Sequence, residues 1–280
     1  MKQELSIAIP SIILEECPTL RERTEKTGMI ARAAAIFGIS KICIYGMDGF
    51  KATDEGRFLK LILEYLETPQ YLRKKIYPIS EELKFAGLLP PLRIPSHLVS
   101  ADISKVKAGD VREGIVVKQG ERLFVDVGLS KLATISGNIS PNTRRSVQID
   151  SIGNEISARI IDSKDVQGYW GYSVEAFPSM TKMFQHLKPD LAVLTSRKGA
   201  NIQNKWDFIS EKVRSSNSVL VAFGSPKHGL PEILAQEKLQ PQNSILLNTI
   251  PRQTVETVRA EEAILATLAI LNLAKATGFP

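Results

Sequence analysis

Two short runs, Val219-Leu-Val-Ala-Phe223 and Ile245-Leu-Leu247, are apolar at every position, and each leads into a loop of glycine, proline and small polar residues. Continuous apolar runs of this length predict strands of a parallel sheet buried on both faces. Leu5-Ser-Ile-Ala-Ile9, which stops before Pro10, and Leu191-Ala-Val-Leu194 have the same grammar. Helical periodicity predicts a helix over Thr19–Phe37, with Ile30, Ala33, Ala34 and Phe37 on one side and Gly38 closing it. Lys41–Tyr45 returns as a strand, completing a βαβ unit with a right-handed crossover. A second amphipathic helix spans Asp54–Glu67, with Phe58, Leu61, Ile62 and Tyr65 as its apolar stripe.

The last periodic stretch, Val255–Thr277, confines its charges (Glu256, Arg259, Glu261, Glu262) to the first two turns. Carboxylates there suit the positive end of a helix dipole. From Ala263 to Ala274 the helix is apolar on nearly every face, so it must be covered on all sides. A second subunit and a second layer of the same domain both satisfy that demand.

The pattern changes at Leu88–His97, where Pro90, Pro91 and Pro95 mark an extended linker. Beyond it, Gly114–Lys118, Arg122–Val127, Leu132–Ile135, Ile156–Ile161 and Gly171–Ala176 read as five short strands, with a hairpin turn at Lys118-Gln-Gly120-Glu121. Such a series fits a small barrel of the OB type. The expected class is therefore α/β, interrupted: one discontinuous domain over residues 1–98 and 184–280, and an inserted β-barrel over 99–183. Lys118, Arg122, Arg144 and Arg145, with Arg159, Tyr169 and Trp170, offer this insert charge and stacking for RNA. Arg73, Lys74 and Lys75, flanked by Tyr71 and Tyr77, offer the same. For the second stretch a solvated helix end with its tyrosines packed inward, and for the insert a structural module with a wet, positively charged face, explain the composition as well.

Charge shifts the balance toward a polyanionic partner, since the formal net charge is +6 and the pI about 9.2. Hydrophobic residues at 43% and charged residues at 24% are ordinary for a globular chain, and no run has the length of a membrane span. The first residues carry no secretory pattern, and Cys17 and Cys43 read as buried thiols of a cytoplasmic protein. His97, His186 and His228 are scattered, so no metal is expected. No Gly-x-Gly-x-x-Gly follows the first strand, and Gly224-x-x-x-x-Gly229 is followed by Leu230 where a phosphate loop needs lysine. No serine lies in Gly-x-Ser-x-Gly. Ligands of open α/β sheets settle beyond the carboxyl ends of the strands, which makes the loops after Phe223 and Leu247 two walls of one pocket. Metal-free group transfer from a bound cosubstrate is the chemistry left standing.

The block Phe223-Gly-Ser-Pro-Lys-His-Gly229, followed by Asn248-Thr-Ile-Pro-Arg-Gln-Thr-Val-Glu-Thr-Val-Arg-Ala-Glu-Glu-Ala263, resembles the cofactor knot of the SPOUT methyltransferases. Ser6-Ile-Ala-Ile-Pro10, Gly28-Met-Ile-Ala-Arg-Ala-Ala-Ala-Ile-Phe37, Leu66-Glu-Thr-Pro-Gln-Tyr-Leu-Arg-Lys74, Phe85-Ala-Gly-Leu-Leu-Pro-Pro-Leu92 and Thr195-Ser-Arg-Lys-Gly199 are similar to the archaeal and eukaryotic RNA uridine-N3 methyltransferase branch. The similarity runs along nearly the whole chain, and that branch carries an OB-like insertion at the same place.

The resemblance implies a trefoil knot, a homodimer, and S-adenosylmethionine held by three loops. Carried over by position, its contacts are Leu194, Thr195, Ser196 and Arg197, then Phe223, Gly224, Ser225 and Gly229, then Asn248, Ile250, Gln253 and Thr254. Leu194, Phe223 and Ile250 would sandwich the adenine, while Arg197 reaches the methionine carboxylate or the RNA. Lys198 stands after Arg197 where relatives carry an acidic residue. The implied reaction is methyl transfer to uridine N3 of large-subunit ribosomal RNA. Arg23 is the candidate for stabilising the uridine anion, with Arg259 and Glu261 orienting the base or taking its proton. Ribose 2′-hydroxyl methylation, guanine N1 methylation and a non-catalytic RNA-binding scaffold are the competing readings.

Overall fold

The computed structural model describes residues 3–46, 54–97, 99–137 and 139–276. Leu98, an expected domain boundary, and Thr277, the expected end of the last helix, lie outside them. In chain order the first elements are β1 (Glu4–Pro10), α1 (Leu20–Ile36), β2 (Lys41–Tyr45), α2 (Asp54–Glu67) and α3 (Gln70–Ile76). Next come β3 (Val111–Gln119), β4 (Arg122–Asp126), β5 (Ala133–Thr134), β6 (Arg144–Ile152), β7 (Ile156–Ile160) and β8 (Ser173–Phe177). The chain ends with α4 (Met180–Leu187), β9 (Leu191–Asn201), α5 (Trp206–Ser215), β10 (Ser218–Ala222), α6 (Leu230–Gln236), β11 (Ser244–Asn248) and α7 (Ala260–Ala276). Two units form: residues 1–66, 80–90 and 172–280, and residues 67–79 with 91–171. The expected insert, 99–183, overlaps the second unit over 99–171.

The first unit is built on a six-stranded sheet in the order β11-β9-β10-β1-β2-β8, every neighbouring pair parallel. Ile7, Ile9, Ile42, Ile44, Val193 and Val221 are fully buried, as strands covered on both faces require. Thr19 caps α1 through a reciprocal capping box with Glu22. Gly38 ends that helix at φ 67°, where a side chain would be strained. Gly171–Ala176, expected in the barrel, instead supplies β8, which pairs with β2 from Lys41↔Ser173 to Tyr45↔Phe177. An edge strand of this sheet and a barrel strand have the same alternation, so pattern alone does not assign it.

One irregularity in this sheet shapes everything downstream. Leu246 of β11 pairs with Leu194 of β9, yet the next residue, Leu247, pairs with Ala200. Thr195–Gly199 therefore leaves the ladder and re-enters it. A Cβ on Gly199 would lie 2.6 Å from the backbone nitrogen and carbonyl carbon of Leu247. The excursion closes only because glycine lets two backbones meet.

The second unit holds a closed barrel in the order β3-β4-β5-β7-β6. Val116, Val125, Val127, Ala133, Val147, Ile149 and Ile156 fill it. β6 replaces Gly171–Ala176 as the fifth strand; its alternation (Ser146, Val147 and Ile149 buried, Arg145 and Asp150 exposed) is half masked by charge. Arg144, expected to face RNA, is instead bound within the unit. Its guanidinium donates to both oxygens of Glu67 at 2.5 and 3.0 Å and to Glu113 at 2.6 Å. Burial opposes its charge, but Glu67 and then Glu113 outweigh that and raise its pKa. Ser146 and the Trp170 indole also donate to Glu113, the latter at 2.7 Å. The Tyr71 hydroxyl donates to the Glu113 carbonyl at 2.8 Å, and Tyr77 shares a 3.3 Å hydrogen bond with Thr68. Tyr71, Tyr77 and Trp170 thus spend their polar ends inside the unit, which for the two tyrosines is the packed-inward reading. Arg73 donates to the Thr68 carbonyl and Lys75 pairs with Asp126. Lys74, Lys118, Arg122 and Arg145 remain exposed.

Gly199→Ala is expected to destabilise the protein by about 2 kcal/mol or more, because the β11 backbone must move aside. Arg144→Met leaves the Glu67 and Glu113 carboxylates without their cation and is expected to cost about 3 kcal/mol. Urea denaturation of each variant, read by tryptophan fluorescence, measures both losses.

Candidate functional site

The interruption within β9 and the residues at and after the ends of β10 and β11 converge, with the approach to α7, on a cavity of about 370 Å³. That is within the range of small-molecule sites. Thr195, Ser196, Arg197, Phe223, Gly224, Ser225, Gly229, Asn248, Ile250 and Gln253 all line it, as does Arg259. Among the expected cofactor residues, Leu194 and Thr254 do not line the cavity. Leu194 is 3% exposed and packs in the core with Ala192 and Leu220, while Thr254 faces solvent.

Most polar side chains here build the loops before they can serve a ligand. Asn248 donates to the Arg197 carbonyl at 3.0 Å and accepts from the Ile250 amide at 3.0 Å, tying the first loop to the third. The Arg197 guanidinium donates to the Glu256 carbonyl at 2.9 Å, and Gln253 donates to the carbonyls of Val255 and Glu256 at 3.1 and 3.2 Å. These bonds hold residues 255–259 out of the helix, so α7 begins at Ala260 rather than at the expected Val255. Thr195 donates to the Ala222 carbonyl at 2.9 Å, joining the first loop to the second.

The second loop is closed by backbone proximity. A Cβ on Gly224 would stand 2.9 Å from the His228 carbonyl oxygen and 3.1 Å from the Leu230 nitrogen. Gly229 has open space by comparison and starts α6, where Glu232 accepts from its amide at 3.2 Å. Sequence reasoning missed two supports beneath these loops. The Tyr45 hydroxyl, fully buried, donates to the Phe223 carbonyl at 2.6 Å, and burial pushes its pKa well up. Thr249 and Thr267 share a buried 2.8 Å hydroxyl bond on the cavity floor. A lone tyrosine or threonine in an apolar run carries no signal of such a partner.

The three expected catalytic residues are not brought together. Arg259 is on the cavity wall. Arg23 donates to the Cys17 carbonyl at 2.9 Å and stands 3.5 Å from Glu55, off the wall. Glu261 is 7% exposed and turns to Lys26, 3.4 Å away, rather than into the cavity. Another carboxylate, Glu16, does line it. Burial pushes the Cys43 thiol up to about 12, which removes it as a nucleophile. Among the described residues no cluster of histidine, cysteine, aspartate and glutamate could hold a metal ion, and no helix is long and apolar enough to cross a membrane.

The donor set fits a nucleoside joined to an amino acid. Backbone from three loops meets apolar Phe223 and Ile250, Arg197 and Lys198 offer cations to a carboxylate, and Glu16 and Glu232 offer acceptors to hydroxyl or ammonium groups.

Comparison with known proteins agrees with that chemistry. A human 28S rRNA (uridine-N(3))-methyltransferase is 33% identical over 96% of this chain and 77% of its own length. A Drosophila melanogaster protein of the same name is 32% identical over 96% of this chain and 61% of its own. An uncharacterized protein of Halobacterium salinarum is 31% identical over 96% of this chain and 98% of its own. The family described as "Putative RNA methyltransferase" matches residues 4–271, and the chain belongs to that family.

Proposed function

We propose that this RNA methyltransferase uses S-adenosylmethionine to methylate uridine N3 of large-subunit ribosomal RNA, through a SPOUT-type knot. The observation that carries the proposal is the excursion of Thr195–Gly199 from the β9–β11 ladder, tied by Asn248 to the third loop beside the second. A chain segment looped out and pinned beside the two other loops supports that reading. The human and Drosophila relatives, named for uridine N3, supply the acceptor.

When bound, the cofactor supplies a methyl group already activated by its positive sulfur. The chain's own work is then alignment and exclusion of water. Phe223 and Ile250 offer apolar walls to the adenine, and Gly224 lets backbone come close. To Arg259, exposed on the same wall, we assign stabilisation of the uridine anion through a carbonyl oxygen.

The barrel supports an OB-like reading of the second unit: numbered within the barrel, its strands run 1-2-3-5-4, with the first also paired to the fourth. Its exposed cations, Lys118, Arg122 and Arg145, with Lys74 from α3, are the RNA contacts we assign to it. A homodimer accounts for α7, where Leu265 and Leu273, 46% and 55% exposed, lie with Ala269 along one face.

Isothermal titration with S-adenosylhomocysteine should give micromolar binding that Gly224→Val and Asn248→Ala weaken by at least about tenfold. Nucleosides from large-subunit rRNA of cells lacking the protein, treated with it in vitro, should then show N3-methyluridine by mass spectrometry. Absence of cofactor binding by the parent would sink the enzyme reading. Replacing Leu265 and Leu273 together by glutamate is expected to turn a dimer into a monomer in sedimentation velocity.

A further inference from the structure

Glu16 reaches the cavity from a different part of the chain than every other lining residue: it follows β1, while the rest lie between Thr195 and Thr267. Ile13 and Leu14, both fully buried, anchor the turn that presents it. On that turn, Glu15 pairs with Lys227 of the second loop at 3.0 Å, and Glu16 accepts from the Lys26 ammonium at 2.6 Å. Lys26 is only 5% exposed and stands 3.4 Å from Glu261 Oε2, an oxygen with no hydrogen-bond donor among the described residues. A lysine this buried, between two carboxylates on different elements, has little freedom, so it fixes the Glu16 carboxylate at the cavity edge.

Two other carboxylates share the cavity. Glu232 caps the start of α6 and stands 3.6 Å from Lys198. Glu256 follows the third loop, and its own carbonyl anchors Arg197 and Gln253. Glu16 closes the cavity on the β1 side, beside the strand whose loop carries Phe223 and Gly224.

Uridine N3 carries a proton and is a weak nucleophile until that proton leaves, so a positioned acceptor is required. The geometry points to Glu16 as the catalytic residue that accepts the N3 proton, with Lys26 and Glu261 as positioning residues behind it. This assignment rests on the uridine N3 reading above. As the N3 electron pair bonds to the methyl carbon, the carbon–sulfur bond breaks with its electrons going to sulfur. The N3 proton passes to a Glu16 oxygen and leaves to solvent after product release. Among the described residues, the charged and titratable groups near Glu16 include Lys26, Glu22 and Arg23 from α1, Glu261 from α7, Arg259 on the same cavity, and Glu15, Cys17 and Lys227 beside its turn.

The test compares the parent protein with Glu16→Gln, an isosteric change, on large-subunit rRNA lacking the modification. Single-turnover formation of N3-methyluridine is followed from neutral to alkaline pH. At neutral pH the variant is expected to be slower by about 10²-fold or more. Its rate should climb tenfold per pH unit as hydroxide removes the N3 proton in place of Glu16, narrowing the gap. Affinity for S-adenosylhomocysteine should match the parent; the melting temperature is expected to fall by a few degrees, because Lys26 keeps only Glu261 as a partner, so both proteins are compared well below their transitions. A variant with the parent's rate, or slowed equally at every pH, overturns the assignment. So does a loss explained by weaker cofactor binding, which would make Glu16 a cofactor ligand. A parent that forms no N3-methyluridine removes the underlying reading and this inference with it, an outcome seen without any variant.

Discussion

The structure of the site depends on the pairing of β11 with β9 on both sides of an interruption. Because the ladder resumes at Leu247↔Ala200, the five residues Thr195–Gly199 have fixed ends only one step apart on β11. Loop closure over so short a span leaves few conformations. Gly199 sits against the Leu247 backbone, and the next residue on β11, Asn248, reaches the Arg197 carbonyl. The same two strands that build the sheet therefore set the shape of the first loop and its distance from the third. Disturbing the sheet register and disturbing the site are one event.

Much of this was legible in the sequence because the relevant forces are local. Apolar runs ending in glycine- and proline-rich loops gave the cores of β1, β9, β10 and β11, though β1 takes in Pro10 and β9 runs on to Asn201, and Thr19 and Gly38 bracketed α1 as capping chemistry demands. Ten of the twelve expected cofactor residues line the cavity, since each lies in the interruption of β9, in the loop after β10, or at and beyond the end of β11. The two exceptions are instructive. Leu194 is the last residue paired before the ladder is interrupted, where alternation turns it into the core, and Thr254 sits just beyond the turn that Asn248 and Gln253 stabilise.

What escaped the sequence was decided by partners far away along the chain. Arg144 looks like a surface cation until Glu67, 77 positions away, takes both of its terminal nitrogens. Its strand, β6, has polar and charged residues at most outward positions, so it read as a basic stretch rather than as the barrel's fifth strand. β8 was misplaced for the converse reason: its neighbour in sequence is the barrel, but its hydrogen-bond partner is β2. Charge and alternation describe a strand's two faces and say nothing of which edge it joins.

The hydrogen bonds that hold the loops also decide what kind of binding site this is. Asn248, Gln253, Thr195 and the Arg197 guanidinium are already engaged with carbonyls of neighbouring loops. A ligand entering this cavity need not order these side chains, so less conformational entropy is lost on binding. The groups left unbonded to the loops are the backbone edges, the apolar faces of Phe223 and Ile250, and charged ends such as Arg259 and Glu16. Rigid apolar and backbone surfaces suit a planar base that must be held in one pose. The charged ends lie where a second reactant would meet it. Division of labour between a prebuilt wall and a charged rim suits the proposed direct group transfer, in which alignment, rather than activation of the donor, sets the rate.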